Sequence, residues 1–406
     1  MYTANKYCFS AYACRETSSK WKKACAREHP ISKRIDEIRS DFSRDANRIL
    51  HCTAYSRLKS KTQVFYRTHN DQICTRIEHV NYVNSVSTTI ADFLGLNTEL
   101  CQAISLGHDL GHAPFGHSGE SILSTIGVEH GLSKFWHEQN SLNVVDNLEL
   151  LEDNCGNYQN LNLSYGVRDG IISHCGEVDE KSIFPREEPI SLSTIVRPNQ
   201  YAPYTWEACI VKIADKISYL GRDIDDALRL KILSADQIKD LRDILKIENE
   251  TINNTNLIHG FIIDLCKHSN PETGICFSPE NCLLMAQVKK FNYTHIYKHK
   301  RLLNYNAYAR LVLTSIFNTL FSLYQGADTL DSLKKESEIY PKLCNTFSQW
   351  LNQYSAQARP KLAVKYQNKI LYDLQEPIHY TKAILDFMAS LTDRFVIELF
   401  EELTVF

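Results

Sequence analysis

Apolar and polar positions in this chain follow a helical period along most of its length. In TRIEHVNYVNSVSTTIADFLGL, Val83, Val86, Ile90, Phe93 and Leu94 recur at helical spacing, which predicts an amphipathic helix with His79 in its first turns. Asn97-Thr98-Glu99 reads as the cap of a second helix running through Leu100, Ala103, Ile104 and Leu106. A later segment, ACIVKIADKISYLGRDIDDALRL, sets Ile213, Ile217, Leu220, Ile224 and Leu228 on an apolar face. LVLTSIFNTLFSLY and TKAILDFMASLTDRFVIELFEEL are again strongly amphipathic. Between these runs, 153–162 and 176–204 are loop-like; Pro185, Pro189, Pro198 and Pro203 in the second suit a lid over a site. The expected architecture is all-α. It has an N-terminal extension, 1–30, packing on a neighbour, a helical core, 31–230, and a helical region, 231–406. That last region completes a pocket, forms a subunit interface, or both.

This helical frame makes one stretch chemically informative. SLGHDLGHAPFGHSGE, from Ser105, carries His108, His112, His117, Asp109 and Glu120 among four glycines and a proline that break the helix. Two consecutive helices joined by a short loop pack antiparallel. His79 near the start of one and His108-Asp109 at the end of the next therefore fall at the same end of the pair. Imidazole beside carboxylate suits a divalent metal. Asp215 on the later amphipathic helix is the best fourth ligand. Asp215 and Tyr219, at i and i+4, with Asp223 a turn further, can line one wall of a pocket, and Lys216 can meet anionic oxygens. Interleaved acids and bases on a helix often mark a solvated face, but Tyr219 and its apolar neighbours argue against full exposure.

Composition narrows the class. A net charge of -3 excludes a globally basic nucleic-acid binder. One local basic patch remains, Lys289-Lys290 with Lys298-His299-Lys300-Arg301, and a solvated surface is its more economical reading. Thirteen scattered cysteines without a CxxC pair disfavour a zinc ribbon and fit free thiols in a reducing cytoplasm. The N-terminal residues carry Lys6, Arg15, Lys20, Lys22 and Lys23 without an apolar signal core. No apolar run is long enough to span a membrane.

The pattern His79…His108-Asp109…Asp215 resembles the signature of the HD-domain metal phosphohydrolases. The resemblance is closer to one branch, the deoxynucleoside triphosphate triphosphohydrolases of the dGTPase family. RDANRILHCTAYSRLKSKTQVF, TRIEH, HDLGHAPFGHSGE, FWHEQNSL, NLSYGVRDGIISHCGE and IADKISYLGRDIDD follow in that family's order, and SPENCLLMAQVKKFNYTHIY comes after. The likeness runs from roughly Lys33 to Tyr297. It implies an HD-type helical core with additional C-terminal helices. It also implies a divalent ion (Mn²⁺, Mg²⁺, Fe²⁺ or Zn²⁺) on His79, His108, Asp109 and Asp215. By the same resemblance Arg76 contacts the α-phosphate, and His112, His117 and Glu120 line the phosphate path. His137 is the general acid or part of an acid–carboxylate pair. Gln63 and Asp223 read the sugar 3′-hydroxyl, and Lys216 and Tyr219 contact the phosphates and the sugar. A homo-oligomer is implied too, and relatives' basic surfaces bind an activating nucleotide or single-stranded DNA.

These residue types suit the reaction. Cleavage at the α-phosphorus needs an electrophile-activating metal, a positioned water, neutralised phosphate charge and a proton for the leaving oxygen. Arg76 offers a planar fork for phosphate oxygens, and His112, His117 and His137 titrate near neutrality. The expected reaction turns a deoxynucleoside triphosphate, with dGTP favoured, into the deoxynucleoside and tripolyphosphate. Two other readings stay open: an HD phosphodiesterase or nuclease acting on nucleotides or single-stranded nucleic acid, and a nucleotide sensor without turnover. Other residues read more plainly. His51, Cys52 and Tyr55 pack on a helix leading to a strand-like KTQVF. Arg57 and Lys59 are phosphate contacts or surface charge. His174 orients a loop or satisfies a carbonyl rather than binding metal, beside a buried Cys175. His130, His295, His299 and His379 are structural or surface.

Overall fold

The computed structural model describes residues 5–31, 36–65, 70, 72–153, 155–175, 181–247, 252, 254–359 and 365–405. Helices hold 62 % of the described residues and strands 4 %, so the fold is all-α as the periodicity predicts. Two compact units divide it. The first comprises Met1–Leu50, Arg67–Asp109 and Asn162–Leu303, and the second His51–Tyr66, Leu110–Leu161 and Asn304–Phe406.

In the first unit the Arg76–Leu94 helix opens at Thr75, whose backbone N–H donates to Glu78 at 2.8 Å. It closes at Gly95, held at a φ of 85°, after which Leu96 N–H returns to the Ala91 carbonyl at 2.8 Å. Val83, Val86, Ile90 and Leu94 are buried along one stripe, and Phe93 is half-buried. The expected Asn97 cap is present: its side chain accepts from Glu99 N–H at 3.1 Å and Leu100 N–H at 3.3 Å, starting the Thr98–Gly107 helix. The long Trp206–Arg229 helix, capped by Thr205, buries Ile213, Ile217, Leu220 and Ile224. The Tyr165–Ser173 and Asn254–His268 helices complete this core.

The N-terminal segment is integral to the first unit. Tyr7 and Phe9 donate backbone N–H groups to the carbonyls of Phe93 and Leu94 at 2.9 and 3.0 Å. Phe9 is fully buried with its ring 4.8 Å from that of Trp206. Glu207 accepts from Cys14 N–H at 2.8 Å and from Asn97 N–H at 3.0 Å. Residues 176–180 of the lid-like loop lie outside the described residues. The rest of that loop is tied down: Ile183 exchanges backbone bonds with Ile275, and Arg186 pairs with buried Asp169.

The second unit gathers the Gly116–Glu129, His137–Asn143, Pro341–Tyr354, Pro377–Ser390 and Asp393–Thr404 helices. The amphipathic C-terminal run is two helices, because the Thr392 side chain accepts from Phe395 N–H and starts the second. Part of the stretch read as loop, 153–162, is instead one arm of an antiparallel hairpin, Leu150–Glu152 against Tyr158–Asn160, in register Leu151↔Gln159. The KTQVF segment forms bends with a single bridge residue at Thr62 and not a strand. None of the thirteen cysteines is in a disulfide, and no described helix is long and apolar enough to cross a membrane.

Candidate metal centre and the histidine cluster

In the first unit three helices deliver one donor set. His79 stands in the first turns of the Arg76–Leu94 helix, His108 and Asp109 follow the end of Thr98–Gly107, and Asp215 lies inside Trp206–Arg229. His79 Nε2 sits 2.9 Å from Asp215 Oδ1 and 3.8 Å from Asp109 Oδ2. His108 Nε2 sits 3.5 Å from Asp109 Oδ1 and 3.8 Å from Asp215 Oδ1. His108 Nδ1–H donates to the Ser105 carbonyl at 2.6 Å, which leaves Nε2 as the lone-pair nitrogen turned toward the carboxylates. His79, His108 and Asp215 bring ligand atoms within 4.8 Å of one another, a set that fits a divalent ion, and Asp109 groups with His108 and His174 beside it.

The electrostatics agree with a site built for a cation. Burial drives the His108 imidazole down to about 4, against the pull of Asp109, so it is neutral and ready to ligate near pH 7. Burial also pulls His79 down, but its hydrogen bond to Asp215 and the charge of that carboxylate win and raise it. For Asp215 burial raises the carboxyl, and the hydrogen bond and charge of His79 outweigh that and lower it.

Arg76 reaches this set from the first residue of its helix. Its Nη1 donates to Asp109 Oδ2 at 2.7 Å, and the side chain is 1 % exposed. The opposite edge of the guanidinium, Nε and Nη2, is buried with no hydrogen-bond partner among the described residues. His174, read from the sequence as a residue that satisfies a carbonyl, does so: its Nδ1 meets the Ile171 carbonyl at 2.6 Å. It also stands with its ring 4.9 Å from that of His108, and its ligand nitrogen clusters with His108 and Asp109. An i, i−3 carbonyl on each of His108 and His174 is the shared signal that could have placed it.

Further along the Trp206–Arg229 helix, Lys216 and Asp223 are buried and Tyr219 is half-buried. The Tyr297 hydroxyl donates to Asp223. Burial and the Asp223 charge raise that phenol well above its ordinary range, so it stays a donor. Tyr297 lies in a block read only for its family likeness, and no local pattern marks it.

The second unit holds the other histidines. His112, His117, Glu120 and His137 bring ligand atoms within 4.8 Å of one another. Glu120 Oε1 accepts from His137 N–H at 2.9 Å, and Oε2 faces His117 Nδ1 at 3.1 Å and His137 Nδ1 at 3.2 Å. Burial pushes the Glu120 carboxyl up, but the His137 charge and the hydrogen bonds from both imidazoles hold it far below the carboxylate range. The His112 and His137 rings stack, 3.9 Å apart and 18° from parallel.

Close backbone approach forms this cluster. A Cβ on Gly111 would lie 2.0 Å from Ser141 N, and one on Gly119 would lie 1.8 Å from the Pro114 carbonyl oxygen, so only glycine fits. Phe115 takes a left-handed φ of 64°, fixed by its N–H bond to Asp393 Oδ1 at 3.0 Å. Lys61 Nζ donates to the carbonyls of His112 and Ala389. Neither Lys61 nor Asp393 stood out in the sequence, because a side chain that holds a distant backbone group leaves no local spacing. Gln63, nearby in sequence, has a buried Oε1 with no partner among the described residues. Arg57 is bound to Glu149 at 2.6 Å, which favours its structural reading. His130 accordingly serves packing, edge-on against the stacked rings of Phe317 and Phe321.

The helices and donor set define an HD-domain protein: the family described as HD domain matches residues 76–220, which contain the whole donor set. Relatives share much more of the chain. A protein from Caldanaerobacter subterraneus is 34 % identical over 336 residues, covering 82 % of this chain and 84 % of its own. One from Thiobacillus denitrificans is 30 % identical, covering 76 % and 85 %. One from Wolinella succinogenes is 26 % identical, covering 91 % and 97 %. Each is named deoxyguanosinetriphosphate triphosphohydrolase-like protein. The chain belongs to this family of HD-domain, deoxyguanosinetriphosphate triphosphohydrolase-like proteins.

Proposed function

We propose that this protein is a metal-dependent deoxynucleoside triphosphate triphosphohydrolase, with dGTP the favoured substrate, releasing deoxynucleoside and tripolyphosphate. The observation that carries the proposal is the Arg76 guanidinium. One edge is anchored on Asp109 within the metal-type donor set, and the other edge is buried and unpartnered. A buried bidentate donor of this kind is suited to phosphate oxygens. Lys216 on the Asp215 helix adds positive charge for the same ligand.

His79, His108, Asp109 and Asp215 are the residues that would hold the ion. A divalent cation there supplies the charge that polarises a phosphoryl oxygen and lowers the pKa of a nearby water; Mn²⁺, Mg²⁺, Fe²⁺ and Zn²⁺ all suit the donors. Arg76 binds and orients the α-phosphate and neutralises charge that builds on it. The His137 imidazole, held by Glu120 and backed by His112 and His117, carries the proton passed to the departing 5′-oxygen. Asp223, fixed by Tyr297, and Gln63 accept and donate at the sugar 3′-hydroxyl, and Tyr219 covers the sugar face. A homo-oligomer in the cytoplasm, with an activating nucleotide or single-stranded DNA as further ligand, completes the reading.

Product analysis tests it. The protein with Mn²⁺ or Mg²⁺ is incubated with each dNTP, singly and mixed, and with GTP. Free deoxynucleoside and tripolyphosphate without mono- or diphosphate supports the proposal. Turnover by mixtures alone identifies an activating nucleotide. Nucleoside monophosphate, or no turnover despite bound metal, rejects it in favour of a phosphodiesterase or a sensor.

A further inference from the structure

The second unit contains a set of metal-type donors separate from His79, His108, Asp109 and Asp215. We propose that His112, His117, His137 and Glu120 form a second transition-metal site, of zinc type, closed by four protein ligands. Zinc is held tetrahedrally by nitrogen and carboxylate donors at about 2.0–2.2 Å, which places neighbouring donors about 3.3 Å apart. Two edges of the cluster already have this length: Glu120 Oε2 lies 3.1 Å from His117 Nδ1 and 3.2 Å from His137 Nδ1. All four ligand atoms fall within 4.8 Å of one another, so closure needs side-chain rotation and not backbone movement.

The cluster is arranged as a ligand set in other respects. Glu120 Oε1 accepts from the His137 backbone N–H at 2.9 Å and lies 3.3 Å from His137 Nδ1, while Oε2 is the oxygen that meets the Nδ1 atoms of both His117 and His137. His112 is buried, and its ring stacks on that of His137, which brings a third imidazole to the two that meet Glu120. His117 is 61 % exposed on its side chain and provides the path of entry. Three neutral imidazoles and one carboxylate leave a bound dication with one net positive charge, and the soft-to-borderline donors select zinc, cobalt or nickel over magnesium.

Four protein ligands leave no open coordination position, so an ion here takes no direct part in chemistry at phosphorus. It displaces the protons of the His117–Glu120–His137 group. Where the hydrolytic reading holds, excess Zn²⁺ is therefore an inhibitor; the site itself does not depend on that reading, and metal counting tests it without turnover.

Metal-free protein is titrated with Co²⁺ and with Zn²⁺, following bound metal per chain and the visible absorption of tetrahedral Co²⁺. Two equivalents are expected, one giving the intense tetrahedral band. His117→Gln, at an exposed position that leaves the fold intact, should weaken the banded equivalent by about 100-fold or more, at least the loss typical of a second-shell change. Asp215→Asn should remove the other equivalent and keep the band. A single equivalent in the unaltered protein, or a band unchanged in both affinity and intensity in His117→Gln, overturns the proposal. Glu120→Gln provides the independent check, and retention of the band there overturns it equally.

Discussion

His79 Nε2 lies 2.9 Å from Asp215 Oδ1, joining residues 136 positions apart in the chain. One comes from the start of a helix and the other from the middle of a helix, so the donor set exists only when both helices are packed. The contact links folding to metal binding: an ion that binds the packed helices and not the unfolded chain stabilises them by mass action. The same Asp215 oxygen lies 3.8 Å from Nε2 of His108, the residue that caps the Thr98–Gly107 helix.

Asp109→Ala should abolish turnover together with the metal equivalent bound by His79, His108, Asp109 and Asp215, measured by metal analysis and by product release. It should also destabilise the fold by roughly 3–5 kcal/mol, because Arg76 is left charged and buried with its partner gone. The double variant Asp109→Ala with Arg76→Met should recover much of that stability in denaturant melts while remaining inactive and without metal at that centre. Triphosphohydrolase activity persisting in Asp109→Ala would sink the site assignment.

His137→Ala should leave the ion on His79, His108, Asp109 and Asp215 and slow hydrolysis by about 10²–10⁴-fold, the range of a positioned acid or base. Metal content and kcat are the two readouts. If the ion at that centre is lost along with activity, His137 is a ligand and not a proton donor.

Tyr297→Phe removes the hydroxyl that donates to buried Asp223. A hydrogen bond to a charged group contributes about 1.5–3 kcal/mol, so kcat/KM for a deoxynucleotide should fall by roughly 10–100-fold with metal content unchanged. A 3′-deoxy analogue, which lacks the hydroxyl that Asp223 would read, should lose less than the normal substrate. An equal loss for that analogue would place Tyr297 outside 3′-hydroxyl recognition.

The legible part of this molecule was what local spacing encodes. Helical periodicity and the Asn97 cap predicted the pair of helices that carries His79 and His108-Asp109, and the apolar face around Ile217 placed the Asp215 helix. Hidden features were those in which one side chain serves a remote backbone. Asp393 fixes Phe115 and Thr62 across more than 270 positions, at 3.0 Å each. Lys61 holds the His112 carbonyl. His174 meets the Ile171 carbonyl as its sequence reading expects, and its place beside His108 and Asp109 is a geometric fact that spacing does not carry. The strand pairing at Leu150–Glu152 was missed because three residues on each side are too few for a period to register.

Asp226 gives a prediction about pH and stability. Its Oδ2 accepts from Cys74 N–H at 3.0 Å, and burial pushes its carboxyl up to about 6 despite the attraction of Arg222. A carboxyl raised in the folded state favours folding when protonated. Its contribution is fully present below the unfolded value, near 4, and is lost as pH rises through about 6. At pH 8 the ionised group therefore costs stability, by roughly 1–3 kcal/mol given that one unit corresponds to about 1.4 kcal/mol. Asp226→Asn keeps the acceptor for Cys74 and removes the titration. Denaturant melts at pH 4 and pH 8 should show the variant nearly equal to the parent at the lower pH and more stable at the higher one, with the change centred between pH 4 and pH 6. A gain of the same size at both values would mean that packing, and not the buried charge, sets the difference.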